Sequence, residues 1–344
     1  MPQMTPERFQ QIASHFSNLR IVVLGDFCLD RYLEIDPALS ETSLETGLPV
    51  HNVTHVRSQA GGAGTVLNNL AALGVGTIFP IGFSGNDGEG HELRQALRQP
   101  GVQLDYFLTT PLRQTFTYTK PLLMHRTGPP EELSRLDIKN WTKTHPEVSS
   151  RIIENLLLAT RNCDALIVME QADREDTGVI TADLLHALEQ LSRSHPGLLI
   201  LADSRRGLKH FPPATFKMNL AELKMLSGSP VSTDEEIKRA VAGLASRNNR
   251  PAFVTLSENG IAGAMPGQDA QHLPAFPVRG PVDVVGAGDA VMASLGASLA
   301  AGASLFEAME IAMAAASIVV HQFGTTGTAS PGEITKLLSL RDNQ

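Results

Sequence analysis

The sequence predicts a doubly wound α/β fold on a mostly parallel sheet, with a small β-sheet lid beside it. Three observations carry this. Short apolar runs recur at 21–24, 77–81, 165–169, 198–202 and 252–256, and they are continuous rather than alternating, as in strands buried on both faces. Helix-like segments at 65–73, 88–97, 149–160, 179–194, 234–247, 290–299 and 304–322 fall mostly between them, and alternating strand and helix argues for α/β. Two stretches, about 31–58 and 104–137, break the rhythm with alternating or Thr-rich patterns that suit half-exposed strands.

Taken in order, the run at 21–24 is followed by Gly25-Asp26, with Asp30 four residues on. Residues 50–56 alternate as V-H-N-V-T-H-V and read as a lid strand. The Gly-rich segment from Ala60 to Gly64 opens a helix over 65–73, and Gly74 ends it as a C′ cap. Pro80 makes the run at 77–81 the weakest strand signal of the five, because proline cannot donate to a ladder and is confined to sheet edges and bulges. Glu170 follows the run at 165–169, and Asp203-Ser204-Arg205-Arg206-Gly207 follows the run at 198–202. A weak run at 215–218 leads into Asn219, with Glu222 three residues on. Asn259-Gly260 reads as a hairpin turn between the run at 252–256 and a strand over 261–264. The whole chain, 1–344, reads as one α/β domain with the two lid segments inserted in it.

Composition narrows the function. Of 344 residues 42% are apolar and 19% charged, so the chain can bury a large core. Its net charge of −8 argues against a general nucleic-acid binder, which needs surplus cations to neutralise phosphates. A small anionic substrate needs only a local cluster. Cys28 and Cys163 form no CxxC pair, and the eleven histidines show no metal-ligand spacing. The N-terminal residues lack the apolar core of a secretory signal, and no charge-free apolar run reaches about 18 residues. No membrane association is expected, and the cytoplasm is the expected compartment.

In an open parallel sheet, ligands bind outside the carboxyl ends of the strands. Asp26, Asp30, Glu170, Asp203, Asn219, Glu222 and Ser257 all follow strand candidates and would line one edge. Each alone also reads as a helix cap or a solvated loop. Gly61 and Gly62 let backbone come close to a ligand. Asp283-Val284-Val285-Gly286-Ala287-Gly288-Asp289 opens an Ala-rich helix. Its small residues let successive N–H groups converge at a helix N-terminus, an anion hole suited to a phosphoryl group in transfer. Asp289 could accept a proton from a substrate hydroxyl, or simply cap the helix. GxxxxGK[ST] is absent, and Val291 stands where a dinucleotide fingerprint needs its third glycine.

The two Gly-rich segments, in this order and this far apart, resemble the two signatures of the ribokinase-like (PfkB) carbohydrate kinases. The likeness spans nearly the whole chain. Within that family, G-D-F-C-L-D-R-Y at 25–32, Thr119-Lys120, Arg135-Leu136-Asp137, and Gly324-Thr325 ahead of Ser330-Pro331 are similar to heptose 7-phosphate kinases. No HxGH nucleotidyltransferase motif follows. The resemblance implies ATP-dependent phosphorylation of a hydroxyl on a sugar or sugar phosphate. Asp289 would be the general base, and Gly286, Ala287 and Gly288 the anion hole. Asn219 and Glu222 match N-x-x-E, which orders Mg²⁺ through water together with the ATP phosphates. Thr255, Ser257 and Gly260 would sit near the nucleotide. Asp26, Asp30, Gly61 and Gly62 would bind the acceptor, with Thr65 where the family usually has asparagine. One of Arg205 and Arg206, with Lys120 or Arg135 from the lid, is a candidate to hold a phosphate already on the sugar, and the two arginines also read as a solvated turn. The lid would pair two copies into a homodimer. Participation of a monovalent cation stays open. A kinase of a nucleoside or another small alcohol is the alternative, and a catalytically silent ligand-binding protein on the same fold is a second.

Overall fold

A computed structural model describes residues 4–228, 231–324 and 326–341. Thr325 of the Gly324-Thr325 motif lies outside the described residues. In chain order the first elements are α1 (Pro6–Ala13), β1 (Arg20–Gly25), β2 (Phe27–Ile35), β3 (Glu41–Thr42), β4 (Pro49–Val50), β5 (Val53–Gly62), α2 (Ala63–Ala72), β6 (Thr77–Gly85) and α3 (Gly88–Ala96). Next come β7 (Phe107–Thr110), β8 (Phe116–Leu123), β9 (Glu131–Glu132), β10 (Leu136–Ile138), α4 (Pro146–Ala159), β11 (Ala165–Glu170), α5 (Ala182–Ser194), β12 (Leu199–Ser204) and β13 (Thr215–Asn219). The last are α6 (Leu220–Ser227), α7 (Asp234–Asn248), β14 (Ala252–Thr255), β15 (Ile261–Ala264), β16 (Gln271–Leu273), α8 (Ala287–Ala300), α9 (Leu305–Val319) and α10 (Pro331–Arg341).

Nine strands form the main sheet in the order β16-β15-β14-β13-β12-β11-β1-β6-β7. It is parallel from β14 to β7, and only the β14–β15 and β15–β16 pairs are antiparallel. Alternate residues of one strand serve opposite layers. Ile21 and Val23 pack with α2, α8 and α9 residues such as Leu67, Leu295 and Met309. Val22 and Leu24 pack with α4, α5 and α7 residues such as Ile152, Leu188 and Val241. Both faces are covered, so the strands read as unbroken apolar runs. Pro80 lies neither on an edge strand nor at a bulge, since β6 runs between β1 and β7 and pairs with β1 in unbroken register. On β6, Ile78 bonds outward to Gly101 and Gln103, and β7 pairs only from Gly82 onward, so the missing N–H of Pro80 points into the gap between them.

The lid is a separate sheet ordered β10-β8-β2-β5, with β9 on β8. Three expectations need correcting. The second lid segment begins at β8, not at 104, because residues 107–110 form β7, the edge strand of the main sheet. The 50–56 strand is interrupted: β4 ends at Val50, β5 begins at Val53, and Asn52 between them donates its side-chain amide to Leu39 O. The helix expected over 179–194 starts at Ala182, where Thr181 caps it. Helices α1, α6 and α10 complete the body.

Candidate active site

Parallel pairing brings the strand ends together. Gly25 pairs with Met169, Met169 with Asp203, Glu170 with Ser204, and Asn219 with Thr255. Asp26, Glu170, Asp203 and Asn219, which end or follow these strands, therefore share one edge, as the sequence predicted, whereas Asp30 lies inside β2 of the lid sheet.

Asp26 joins the body to the lid. Its backbone N–H donates to Met169 O at 3.0 Å, and its carbonyl accepts Ala63 N–H at 3.0 Å. Its carboxylate accepts three further N–H groups, from Gln171 and Ala172 at 2.8 Å and from Val179 at 2.6 Å. Burial pushes this carboxyl up and the three amides oppose that. Asp26 thus holds the 171–179 loop against the floor of a cavity lined by Cys28, Phe116, Tyr118, Gln171 and Ala172.

Asp30, buried on β2, faces the same region. A Cβ on Gly61 would collide with the Asp30 carboxylate and with Cys28 Sγ, so only glycine lets β5 pass here. Gly62 has φ +60° and turns the chain into α2, whose first turn holds Thr65 fully buried. Burial raises the Asp30 carboxyl, while Lys120 and Arg135 pull it back down. Lys120 lies 5.0 Å above the Tyr32 ring. Arg135 grips Asp137 with two bonds, at 2.8 and 2.9 Å, and stacks 5.1 Å above Tyr118.

The second glycine segment enters α8 through Gly286 at φ +82°. Asp283 steadies the turn: its carboxylate accepts Val285 N–H at 3.1 Å, and its N–H reaches Val320 O at 2.8 Å. Ala287 N–H is taken by Val284 O at 3.2 Å, which removes one of the three expected anion-hole amides. The N–H groups of Gly286, Gly288 and Asp289 have no acceptor among the described residues. Burial pushes the Asp289 carboxyl up to about 7, with Asp203 and Asp30 adding repulsion and Lys217 and Arg205 opposing it.

Lys217 is the residue that sequence reasoning missed. Buried on β13, its ammonium donates to Asp203 Oδ2 at 2.6 Å. A Cβ on Gly288 would sit 3.2 Å from Lys217 Nζ, so the cation lies beside the anion-hole turn. The available signal was a lysine inside a buried strand, which is rare unless the charge is paired.

Asn219 and Glu222 form a reciprocal capping box on α6, with N–H to side-chain bonds of 2.8 and 3.0 Å. The Asn219 side chain also bonds to the Glu222 carboxylate. That carboxyl is raised by burial and by Asp203. Thr255 closes β14, Ser257 has φ +53°, and a Cβ on Gly260 would strike Leu273 O. Arg205 reaches Asp173 at 3.6 Å from a half-exposed side chain. Arg206 instead turns inward to Glu170 at 3.2 Å. Ser204 Oγ donates to the same carboxylate, which burial pushes up to about 7. Among the described residues, no group of three or more His, Cys, Asp or Glu side chains is arranged to hold a metal directly. No helix among them is long and apolar enough to cross a membrane.

The chain is 31% identical over 322 residues to the bifunctional protein HldE of Gluconobacter oxydans, covering 93% of this chain and 64% of that protein. It is 31% identical over 323 residues to HldE of Pectobacterium atrosepticum, covering 93% and 63%. The chain thus spans just under two thirds of those relatives' length. The fold matches an Arabidopsis thaliana ribokinase complexed with ribose and ATP at TM-score 0.65 and 22% identity, over 93% of this chain and 98% of that one. It also matches Escherichia coli phosphofructokinase-2 in complex with fructose-6-phosphate at TM-score 0.70 and 18% identity, over 94% and 99%. The model of the pfkB family of carbohydrate kinases matches residues 138–331, more than half of the chain, and the protein belongs to that family.

Proposed function

We propose that the protein transfers the γ-phosphoryl group of ATP to a hydroxyl of a sugar phosphate similar to heptose 7-phosphate. The observation that carries this reading is Asp289 at the mouth of an open-amide turn, with Lys217 beside that turn. A carboxyl poised near neutrality is half ionised at working pH, where a general base is most effective. Asp289 accepts the hydroxyl proton as the oxygen attacks. The amides of Gly288 and Asp289 and the Lys217 ammonium face the charge that develops on the transferred group. Asp203 keeps Lys217 charged and aimed.

Magnesium fits the residues present. Asp203, Glu222 and Asp289 crowd three carboxyls around one ammonium, a surplus of negative charge that a cation relieves. The Glu222 carboxylate, with Asn219, would hold it through water, since Mg²⁺ usually keeps several waters. Its chemistry there is to neutralise phosphate oxygens. Thr255, Ser257 and Gly260 would face the nucleotide. Asp30, Gly61 and Gly62 would face the acceptor, and Asp26 would position the loop beneath it. Lys120, Arg135 and Arg205 supply the cations that an anionic acceptor needs in an otherwise acidic protein.

The lid also supports a homodimer. β5 is its edge strand, and Val53 and Val56 on it are each 43% exposed. An open edge with apolar side chains is a pairing surface. We assign the reaction to the cytoplasm, which supplies ATP. The test of the whole reading is ADP release from ATP across sugars, sugar phosphates and nucleosides. Release that depends on a sugar phosphate supports it, and release with nucleosides alone overturns it.

A further inference from the structure

The cavity beside Asp26 does not end at Tyr118. A second cleft shares Phe116, Tyr118 and Ala172 with it and continues outward to Asn140, Trp141 and Arg174. The walls of this extension come from two segments: the connection from the lid to α4, and the loop that Asp26 holds. Its chemistry differs from the inner cavity. Arg174 lies 4.7 Å above the indole of Trp141, and Lys139 lies 5.7 Å above the Tyr118 ring. Lys139 binds Asp173 at 2.6 Å and lies 3.7 Å from Asp137, Arg205 approaches Asp173 at 3.6 Å, and Arg135 holds Asp137 at 2.8 Å. Two carboxylates thus serve three cations. Arg174 has no carboxylate partner among the described residues. The cleft therefore carries net positive charge in a chain of net charge −8.

We infer that this outer cleft is a subsite for the far, anionic end of the acceptor, with Arg174 and Lys139 as its cations and Trp141 as its aromatic wall. A planar guanidinium can give a phosphate two parallel hydrogen bonds, and its position over an indole restricts where it points. The acceptor hydroxyl would lie inward toward Asp289, with the phosphate held outward past Tyr118. A compact sugar without a distal anion would leave the outer cleft empty. The inference rests on the kinase reading for the identity of the acceptor but not for the occupancy of the cleft.

Trp141 is the only tryptophan of the chain and is 62% exposed, so its emission reports on this cleft alone. The experiment titrates the full chain, without ATP, with heptose 7-phosphate, with the unphosphorylated heptose and with inorganic phosphate. Heptose 7-phosphate is expected to change Trp141 emission saturably, inorganic phosphate to compete with it, and the neutral heptose to leave it unchanged. In Arg174→Ala, an exposed position where folding is retained, the ratio of kcat/KM for phosphorylated over unphosphorylated acceptor is expected to fall about tenfold or more, the loss of one hydrogen bond to a charged group. Unchanged emission at millimolar heptose 7-phosphate overturns the subsite, and so does an unaltered ratio in Arg174→Ala. Absence of turnover with every acceptor sinks the kinase reading instead, because the emission titration needs no turnover.

Discussion

The ammonium of Lys217 donates to Asp203 Oδ2 at 2.6 Å, and both residues are buried at adjacent strand ends below the turn at Gly288. Removing one member of a buried ion pair leaves the other uncompensated, typically about 3–5 kcal/mol. Lys217→Met is expected to lower both Tm and kcat, the latter by about 10²-fold or more, the scale of one lost oxyanion donor. Thermal unfolding and steady-state kinetics at saturating ATP check this. Near-normal kcat in a destabilised variant would reduce the pair to a packing device.

Asp289 makes activity depend on pH. Its carboxyl sits at about 7, and the base form is the deprotonated one. The rate should therefore fall as pH drops below about 7, approaching tenfold per unit. Glu170 also sits at about 7, held there by burial against its bonds to Ser204 and Arg206. Glu170→Gln separates the two: the acid limb should persist in that variant. Its disappearance would move the limb to Glu170.

The same shift has a stability consequence. A raised carboxyl pKa means that the folded state holds more protons than the unfolded one between about pH 4 and 7, so stability falls as pH rises through that window. Asp289→Asn removes the buried charge. At pH 8 it should unfold about 2 °C or more above the parent, roughly 1 kcal/mol for a chain of this size. At pH 4 the two should melt together. Scanning calorimetry at both pH values decides it, and a lower Tm at pH 8 would show that Lys217 more than offsets the burial.

Asp26→Ala distinguishes a loop holder from an acceptor ligand. Three N–H groups lose their acceptor, and a buried unsatisfied group costs about 1–3 kcal/mol. Hydrogen exchange at Gln171, Ala172 and Val179 should accelerate without any acceptor present. Unchanged protection there, with only the acceptor KM raised, would assign Asp26 to the sugar instead.

Val53→Glu together with Val56→Glu should give a monomer in sedimentation, since like charges would face each other along the lid edge. A parent that already sediments as a monomer would remove the lid dimer.

Much of the site was readable because it obeys local rules. The strand ends, the two glycine turns and the 259–260 hairpin are set by neighbours in sequence, and each stands where the patterns put it. What escaped depends on distant partners. Asp26 read as an acceptor ligand, yet its carboxylate accepts three amides that lie 145 to 153 residues away. Lys217 sits in a run too short to read as securely buried, and its partner is 14 residues earlier, at the end of another strand. Residues 107–110 share the Thr-rich look of the lid but pair with β6, a choice made by tertiary contact rather than composition. Asn219 and Glu222 carry a capping-box signal and a nucleotide-site signal in the same four residues, and the capping geometry is compatible with both.

The central claim is that Asp289 takes a proton from an acceptor hydroxyl during phosphoryl transfer. The most direct measurement is acceptor-dependent ADP release by the parent and by Asp289→Asn, with ATP binding measured in parallel. The account predicts release that requires the sugar phosphate and falls ~10²–10⁴-fold in the variant, while ATP binding is retained. Turnover within about threefold of the parent, where a general base would contribute at least ~10²-fold, would contradict it and leave Asp289 as a helix cap.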